Sequence, residues 1–372
     1  MVQSKVSNCL IKVDRALSEI RRGGTIILRL NNNEGCLLRS LEMMVEGDAV
    51  EMGALCGSSP MLVITKNRAT ALGKRLSKSY CCATLPLGNH TIPALMNFAI
   101  SLPHSSLISQ EISIVGEKEN SLADYSTRLL RKAKLAPAAI ICRIASRDKS
   151  YQDRLAADTD MLILEERDIK QYYQKKAEAF KIVTRANVPI SVDPNAEVVM
   201  FRAEVGDEEH FAVIVGGEIT SKAPLLRIHS QCLTGDVLGS LKCDCGDQLA
   251  GALQLMAKNS GGILIYLAQE GRDIGLLNKM RAYGLQSSGL DTIDANHVLG
   301  FEADERDFLP AVKILNELNV NQVKLITNNP KKIDHLACHG IKVVERVPLS
   351  ISPNEHNLNY IETKKSRAGH LS

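Results

Sequence analysis

The chain has 372 residues, 45% of them hydrophobic and 23% charged, with a formal charge of +3. That length exceeds one ordinary core and suits two domains. The composition is that of a soluble globular protein, and the small, dispersed charge argues against a nucleic-acid groove. No apolar run reaches the ~18 to 20 residues of a membrane span, and the opening MVQSKVSNCLIKVDRALSEIRRGG lacks a signal peptide's apolar stretch, so a cytoplasmic protein with no membrane partner is expected.

In chain order, the amphipathic stretch Asp14 to Arg22 predicts a helix that runs into GGTIILRL, a glycine break followed by a strand. SPMLVITKN predicts a second strand between turn formers. RLLRKAKLAPAAIICRIASRD reads as a helix stopped before Pro137 and then a buried strand, and DTDMLILEERDIKQYYQKK repeats strand then helix. Residues 1–180 are therefore predicted as one mixed α/β domain. The segment 181–197, KIVTRANVPISVDPNAE, carries two prolines and no helical period, which predicts a linker. From Val198 the strings EVVMFRAEV, EEHFAVIVGG and APLLRIHS read as strands, followed by a helix from about Asp247 to Lys258 and the buried strand GGILIYLA. Residues 198–372 form the second predicted domain, and the fold class is mixed α/β (α+β), two α/β domains each with a mixed sheet and packed helices. The tail SPNEHNLNYIETKKSRAGHLS shows no periodic apolar face. Most of the ten cysteines, as in SYCCATL and AAIICRI, read as reduced core thiols and not as a disulfide framework.

Three cysteines differ. Cys232, Cys243 and Cys245 lie in CLTGDVLGSLKCDCGDQL, where CDC in an extended segment puts two thiols on one side and the intervening turn returns the third. Three soft thiolates favour zinc, and three protein ligands with an open position is the catalytic pattern; the alternative is three thiols that merely lie close. His229 stands three residues before Cys232, which on a strand points it to the other face, toward a structural role or support of the metal ligands.

YLAQEGRDIGL places Gln269, Glu270, Gly271 and Arg272 at a strand exit, where ligand sites of α/β proteins concentrate. LITNNPKK brings Thr327, Asn328 and Asn329 to a helix start at Pro330, followed by Lys331 and Lys332, an arrangement suited to an anion. GFEADERDF offers Asp304 and Arg306 to one cleft if the segment is extended. Each string alone also reads as a solvated loop or a capped helix start.

Taken in order, RIHSQCLTGDVLGSLKCDCGDQL, YLAQEGRDIGLLNKMRAYGLQ, GLDTIDANHVLGFEADERDF, LITNNPKKI and VERVPL resemble the motifs of GTP cyclohydrolase II, the enzyme that opens the path to riboflavin. The resemblance implies that Cys232, Cys243 and Cys245 hold a catalytic Zn²⁺, that water activated there attacks C8 of guanine, and that C8 leaves as formate. It implies that Asp304 accepts a proton and that Arg306 acts at the α-phosphorus as pyrophosphate leaves. The high reference pKa of a guanidinium makes a transition-state phosphate clamp the alternative to a nucleophile there. Tyr283 matches a further active-site position. The implied GTP contacts are Arg227, Ile228, His229, Ser230, Gln231, Gln248, Glu270, Gly271, Arg272, Thr292, Thr327 and Lys332. Mg²⁺ is expected with the phosphates, and a homodimer is the family's habit. Gln231 stands where the family usually has Glu, and Ala268 where Arg is common.

Residues 10 to about 178 resemble 3,4-dihydroxy-2-butanone 4-phosphate synthase in outline, the domain that often precedes this enzyme in bacteria. Its acidic Arg-Glu-Asn-Glu-Gly-Asp signature reads RLNNNEGCL here and keeps only Asn33, Glu34 and Gly35. Asn32 and Cys36 replace carboxylates, which deprives hard Mg²⁺ of its ligands. GEKENSLADYSTRLLRK lacks the Gly-His-Thr-Glu-Ala motif, and Arg143 stands where a catalytic glutamate belongs. The expected protein is a GTP cyclohydrolase II behind a synthase-like domain without synthase activity; the alternatives are a bifunctional enzyme and a non-catalytic GTP-binding zinc module.

Overall fold

A computed structural model describes residues 8–102, 113–175, 180–203, 208–217, 219, 222–367 and 369. The chain divides into two units, Met1–Gln174 with Leu277–Glu305, and Lys175–Leu276 with Arg306–Ser372.

The first unit holds strands β1 (Ile26–Arg29), β2 (Gly35–Ser40), β3 (Met61–Thr65), β4 (Cys82–Pro86), β5 (Val115–Glu117), β6 (Ala139–Arg143) and β7 (Ile163–Glu165). They form one sheet in the order β5-β4-β3-β6-β2-β1-β7, antiparallel except for the parallel β1–β7 pair. The predicted N-terminal helix spans Asn8–Arg21 and buries Leu10, Val13, Leu17 and Ile20 at helical spacing. The helix expected before Pro137 spans Leu122–Lys132, starts on a Ser121 side chain that accepts from Asp124 N, and ends in Arg131 and Lys132, which suit the negative end of the helix dipole. Segment 277–305 joins this unit with the greater part of helix Leu276–Ser287 and with helix Thr292–Val298.

The second unit holds β8 (Phe180–Asn187), β9 (Glu197–Ala203), β10 (Glu209–Val215), β11 (Leu225–Ser230), β12 (Gly262–Leu267), β13 (Gln322–Ile326) and β14 (Lys342–Val347). Their order is β14-β13-β11-β12-β10-β9-β8; β14, β13, β11 and β12 run parallel, and β10, β9 and β8 continue antiparallel. Both units are thus mixed sheets with helices, the fold class expected from sequence. The central strand β12 is a nearly continuous apolar run because both of its faces are covered, while β11 beside it also buries Arg227 and His229. Leu226, fully buried in β11, packs with Ile263, Ile265 and Leu325. Leu226→Ala is expected to destabilise this unit by about 2–5 kcal/mol through lost burial and the cavity left behind, read from denaturant unfolding.

Two local expectations need correction. Segment 181–197, expected as a linker, supplies the body of β8, which pairs antiparallel with β9; as an outer strand it is mostly exposed, so its composition stays polar. The CDC tripeptide is not extended: Cys245 opens the helix Cys245–Lys258, two residues ahead of the expected start at Asp247. The tail contains a helix, Leu358–Ser366, which no apolar period announces. None of the ten cysteines is in a disulfide, and among the described residues no helix is long and apolar enough to cross a membrane.

Candidate active site

Parallel strands deliver their carboxyl ends to one edge of a sheet, where polar ligands bind. In the second unit β11, β13 and β12 lie side by side and lead into Gln231–Asp236, Thr327–Lys332 and Ala268–Asp273 respectively. Gln231 N donates to Leu267 O at 2.8 Å, which keeps the β11 and β12 exits together.

The β11 exit carries the cysteine cluster. Cys232, Cys243 and Cys245 place their sulfurs within 4.8 Å of one another, the one such metal-capable group among the described residues. Cys232 Sγ and Cys243 Sγ are 3.7 Å apart. Two thiolates bound tetrahedrally at ~2.3 Å from zinc stand about 3.8 Å apart, so this separation and the soft donor set fit zinc. Cys232 and Cys243 are buried, and the neighbouring Cys232 thiol pushes the Cys243 thiol above its usual value. Ionising such a group is favoured by a cation, which is what a metal supplies.

Asp236, which the sequence did not single out, organises this turn. Its carboxylate accepts from Cys232 N at 3.0 Å and from Tyr266 OH at 2.8 Å, and His229 Nε2 lies 3.1 Å from both of its oxygens. Burial lowers the pKa of His229 despite that carboxylate. His229 also stacks on Tyr266. The one signal in sequence is an acid four residues after the first cysteine, on the turn Leu233–Asp236.

Around this cluster the other candidate residues fall into short networks. Arg227, on β11, donates from Nη1 to Ile326 O and from Nη2 to Gln248 Oε1, while Gln248 Nε2 donates to Asp244 Oδ2 at 2.6 Å. Desolvation lowers the pKa of Arg227, offset by Asp244 and Cys245. Lys332 Nζ donates to Ile228 O at 2.7 Å and lies over the Phe308 ring, as does the Arg306 guanidinium. Thr327 Oγ1 accepts from Asn329 N, and Asn329 in turn caps the helix Pro330–Cys338 by accepting from Lys331 N. Glu270 Oε2 accepts from Leu233 N at 2.6 Å and so ties the β12 exit to the cysteine turn. After it the backbone is left-handed at Gly271, Arg272 and Asp273. Two consecutive non-glycine residues in that region are strained, a feature that concentrates at functional sites. Ala268 N donates to His210 Nδ1 at 3.0 Å.

Buried polar atoms normally have partners. Of the several atoms buried without one among the described residues, three, Arg227 Nε, Ser230 Oγ and Gln269 Oε1, lie on β11 or at the β12 exit. Such atoms fit a polar ligand at this edge.

Tyr283, Thr292 and Asp304 belong to the first unit. Tyr283 lies on helix Leu276–Ser287 with Lys279 Nζ over its ring. Thr292 opens the helix capped by Asp291 and accepts from Gln286 Nε2 at 3.4 Å. Asp304 follows in an irregular segment, two residues ahead of Arg306.

A family model described as GTP cyclohydrolase II matches residues 181–348. A GTP cyclohydrolase-2 of Azospirillum brasilense is 38% identical over 362 residues, which cover 96% of this chain and 93% of that protein. A GTP cyclohydrolase-2 of Klebsiella pneumoniae subsp. pneumoniae is 54% identical over 165 residues, 44% of this chain and 82% of its own. The riboflavin biosynthesis protein RibBA of Chlorobium phaeovibrioides is 39% identical over 252 residues, 65% of this chain and 60% of its own. With a relative matched over nearly its whole length and the expected motifs inside the matched region, the chain belongs to the GTP cyclohydrolase II family and is a hydrolase of riboflavin biosynthesis.

Proposed function

We propose that the protein is a zinc-dependent GTP cyclohydrolase II that converts GTP to 2,5-diamino-6-(5-phosphoribosylamino)pyrimidin-4(3H)-one, formate and pyrophosphate. In this reading residues 198–372 carry the reaction, and the synthase-like residues 1–180 have lost their own. The observation that carries the proposal is the convergence of three thiols within 4.8 Å at the carboxyl end of β11.

Zinc held by Cys232, Cys243 and Cys245 supplies a Lewis acid that makes water nucleophilic near neutral pH. The chain's own residues do the rest. Arg227, fixed by Gln248 and Ile326 O, presents a buried cation whose Nε is open to a ligand oxygen. Glu270 holds the Leu233 amide and with it the cysteine turn. Arg272, Thr327 and Lys332 supply donors for phosphate oxygens, and Arg306 clamps charge at the α-phosphorus as pyrophosphate departs. Asp304 accepts a proton and Tyr283 hydrogen-bonds the opening ring, roles taken from their motif positions. Mg²⁺ accompanies the triphosphate, and the working form is a cytoplasmic homodimer.

Ion pairs support the loss of synthase chemistry. Glu34, the surviving acid of the eroded signature, pairs with Arg147, and Arg143 Nη2 pairs with Glu117 at 2.8 Å. The match to a RibBA protein favours a second reading, a bifunctional enzyme. One assay separates the two. Purified protein given GTP, Mg²⁺ and zinc is expected to release formate and pyrophosphate in equal amounts, with about one zinc per chain. The same protein given ribulose 5-phosphate and Mg²⁺ is expected to release no formate. Absence of turnover with GTP would overturn the first reading, and formate from ribulose 5-phosphate would establish the second.

A further inference from the structure

The first unit contains a set of contacts with no evident part in synthase chemistry. Thr65, Asn67 and Arg68, at the end of β3 and the start of helix Lys66–Ala71, meet three backbone carbonyls within residues 298–301. Thr65 Oγ1 donates to Gly300 O at 2.7 Å, Asn67 Nδ2 to Phe301 O at 2.9 Å, and Arg68 Nη1 to Val298 O at 2.8 Å. Val298 and Phe301 are buried, so these carbonyls would lack partners without the three donors.

Arg68 is the most telling member. It is only 1% exposed, and its other guanidinium donors go to Phe98 O, so it joins two carbonyls and meets no carboxylate among the described residues. Burying a cation on carbonyls alone is costly, and an apolar side chain of similar length would pack without that cost. What the guanidinium adds is a fixed geometry between helix Ile92–Ile100 and the end of helix Thr292–Val298. Gly300 completes the fit: its φ is +86°, and a Cβ there would lie 3.0 Å from Thr65 Oγ1 and from Pro137 Cγ. A second tether follows at once, where Arg131 Nη1 reaches Glu305 at 3.3 Å and Glu302 at 3.7 Å. Asp304 is thereby held between two anchored points, Phe301 and Glu305, and the chain runs from Glu305 directly into Arg306.

We infer that the first unit serves the cyclohydrolase reaction as a clamp on its own loop 298–305, with Arg68 a positioning residue that holds this loop and so sets Asp304. This rests on the role given to Asp304 above. It assigns the synthase-like unit a task that needs none of the lost synthase residues.

The test uses the full chain. Arg68→Met keeps most of the length and removes the charge and its donors, Arg68→Lys keeps a cation, and Arg131→Ala removes the ion pairs of a half-buried residue. Turnover of GTP per zinc-loaded chain is expected to fall roughly 10- to 100-fold in R68M through kcat, since misplacing a reacting group by about 1 Å costs that much. R68K is expected to recover part of the loss, and R131A to show a smaller loss of the same kind. Zinc content stays at the wild-type level in all three. Amide hydrogen exchange gives a readout independent of activity: residues 298–305 exchange faster in R68M and R131A, while β11 to β13 keep their protection. Wild-type kcat, KM and exchange in folded R68M would overturn the inference; if R68M does not fold, the same result in R131A does so. Failure of the wild-type protein itself to turn over GTP would count against the proposed function, and the exchange result would still decide the clamp.

Discussion

Replacement of Cys243 by serine is expected to remove bound zinc and to lower GTP turnover by at least about 100-fold, because losing even a residue that supports a metal ligand costs roughly 10- to 100-fold. Serine matches the thiol in shape but stays protonated near neutral pH and offers a hard oxygen, so the site keeps its packing and loses a soft anionic donor. Cys243 is buried beside Cys232, and the two remaining thiols cannot complete three protein ligands. Cys338, exposed and outside the cluster, provides the control: Cys338→Ser is expected to keep wild-type zinc and turnover. Metal content by elemental analysis and formate release from GTP check both. A C243S protein that lost its zinc and kept full turnover would separate the metal from the reaction and remove the central element of the proposed mechanism.

The parts of this protein that were legible in sequence are those governed by local rules. Apolar runs bounded by turn formers gave β3, β6, β11 and β12 close to their observed limits. Pro330 with Asn329 before it marked a helix start, and the structure begins a helix there with Asn329 as its cap. What local rules missed was set by tertiary context. Strand β8 reads as a linker in sequence because an outer strand buries little on one side and needs no apolar alternation. The helix Leu358–Ser366 has no apolar face for a periodicity search to find.

The candidate site divides in the same way. The three thiols and the strand exits were visible because their residue types are chemically conspicuous. Asp236 was not, since an aspartate in a glycine-containing turn usually serves the turn; only the fold shows it accepting from Cys232 N and from Tyr266 OH. Arg68 was invisible for a different reason. It lies in the first unit, more than two hundred residues before the carbonyl it serves at Val298, and nothing in TKNRATA distinguishes it from a surface arginine.

Gly235 yields the last expectation, one that residue type alone does not announce. It lies in the turn Leu233–Asp236 with no unusual φ, so its role is space. A Cβ added there would stand 2.8 Å from Cys243 Sγ, 3.1 Å from Cys232 Sγ and 3.0 Å from Cys245 Cβ, closer to each than real contacts ordinarily come. The sulfurs of a metal site cannot swing away as a lysine tip can, because their positions define the site. Gly235→Ala is therefore expected to spread the thiols and weaken zinc binding by roughly 10- to 100-fold or more, with turnover falling in parallel. The fold should survive: the change adds one methyl to a short turn, and the core around Leu226 and Ile265 lies in the sheet. Gly246→Ala acts through the backbone instead, since its Cβ would lie 2.4 Å from Gly235 O and force the helix Cys245–Lys258 away from the turn. Competition with a chromophoric chelator measures the zinc affinity of both variants, and denaturant unfolding with zinc removed separates loss of the site from loss of the fold. Wild-type zinc affinity in G235A would mean that the three thiols, though close, are not where the metal is held.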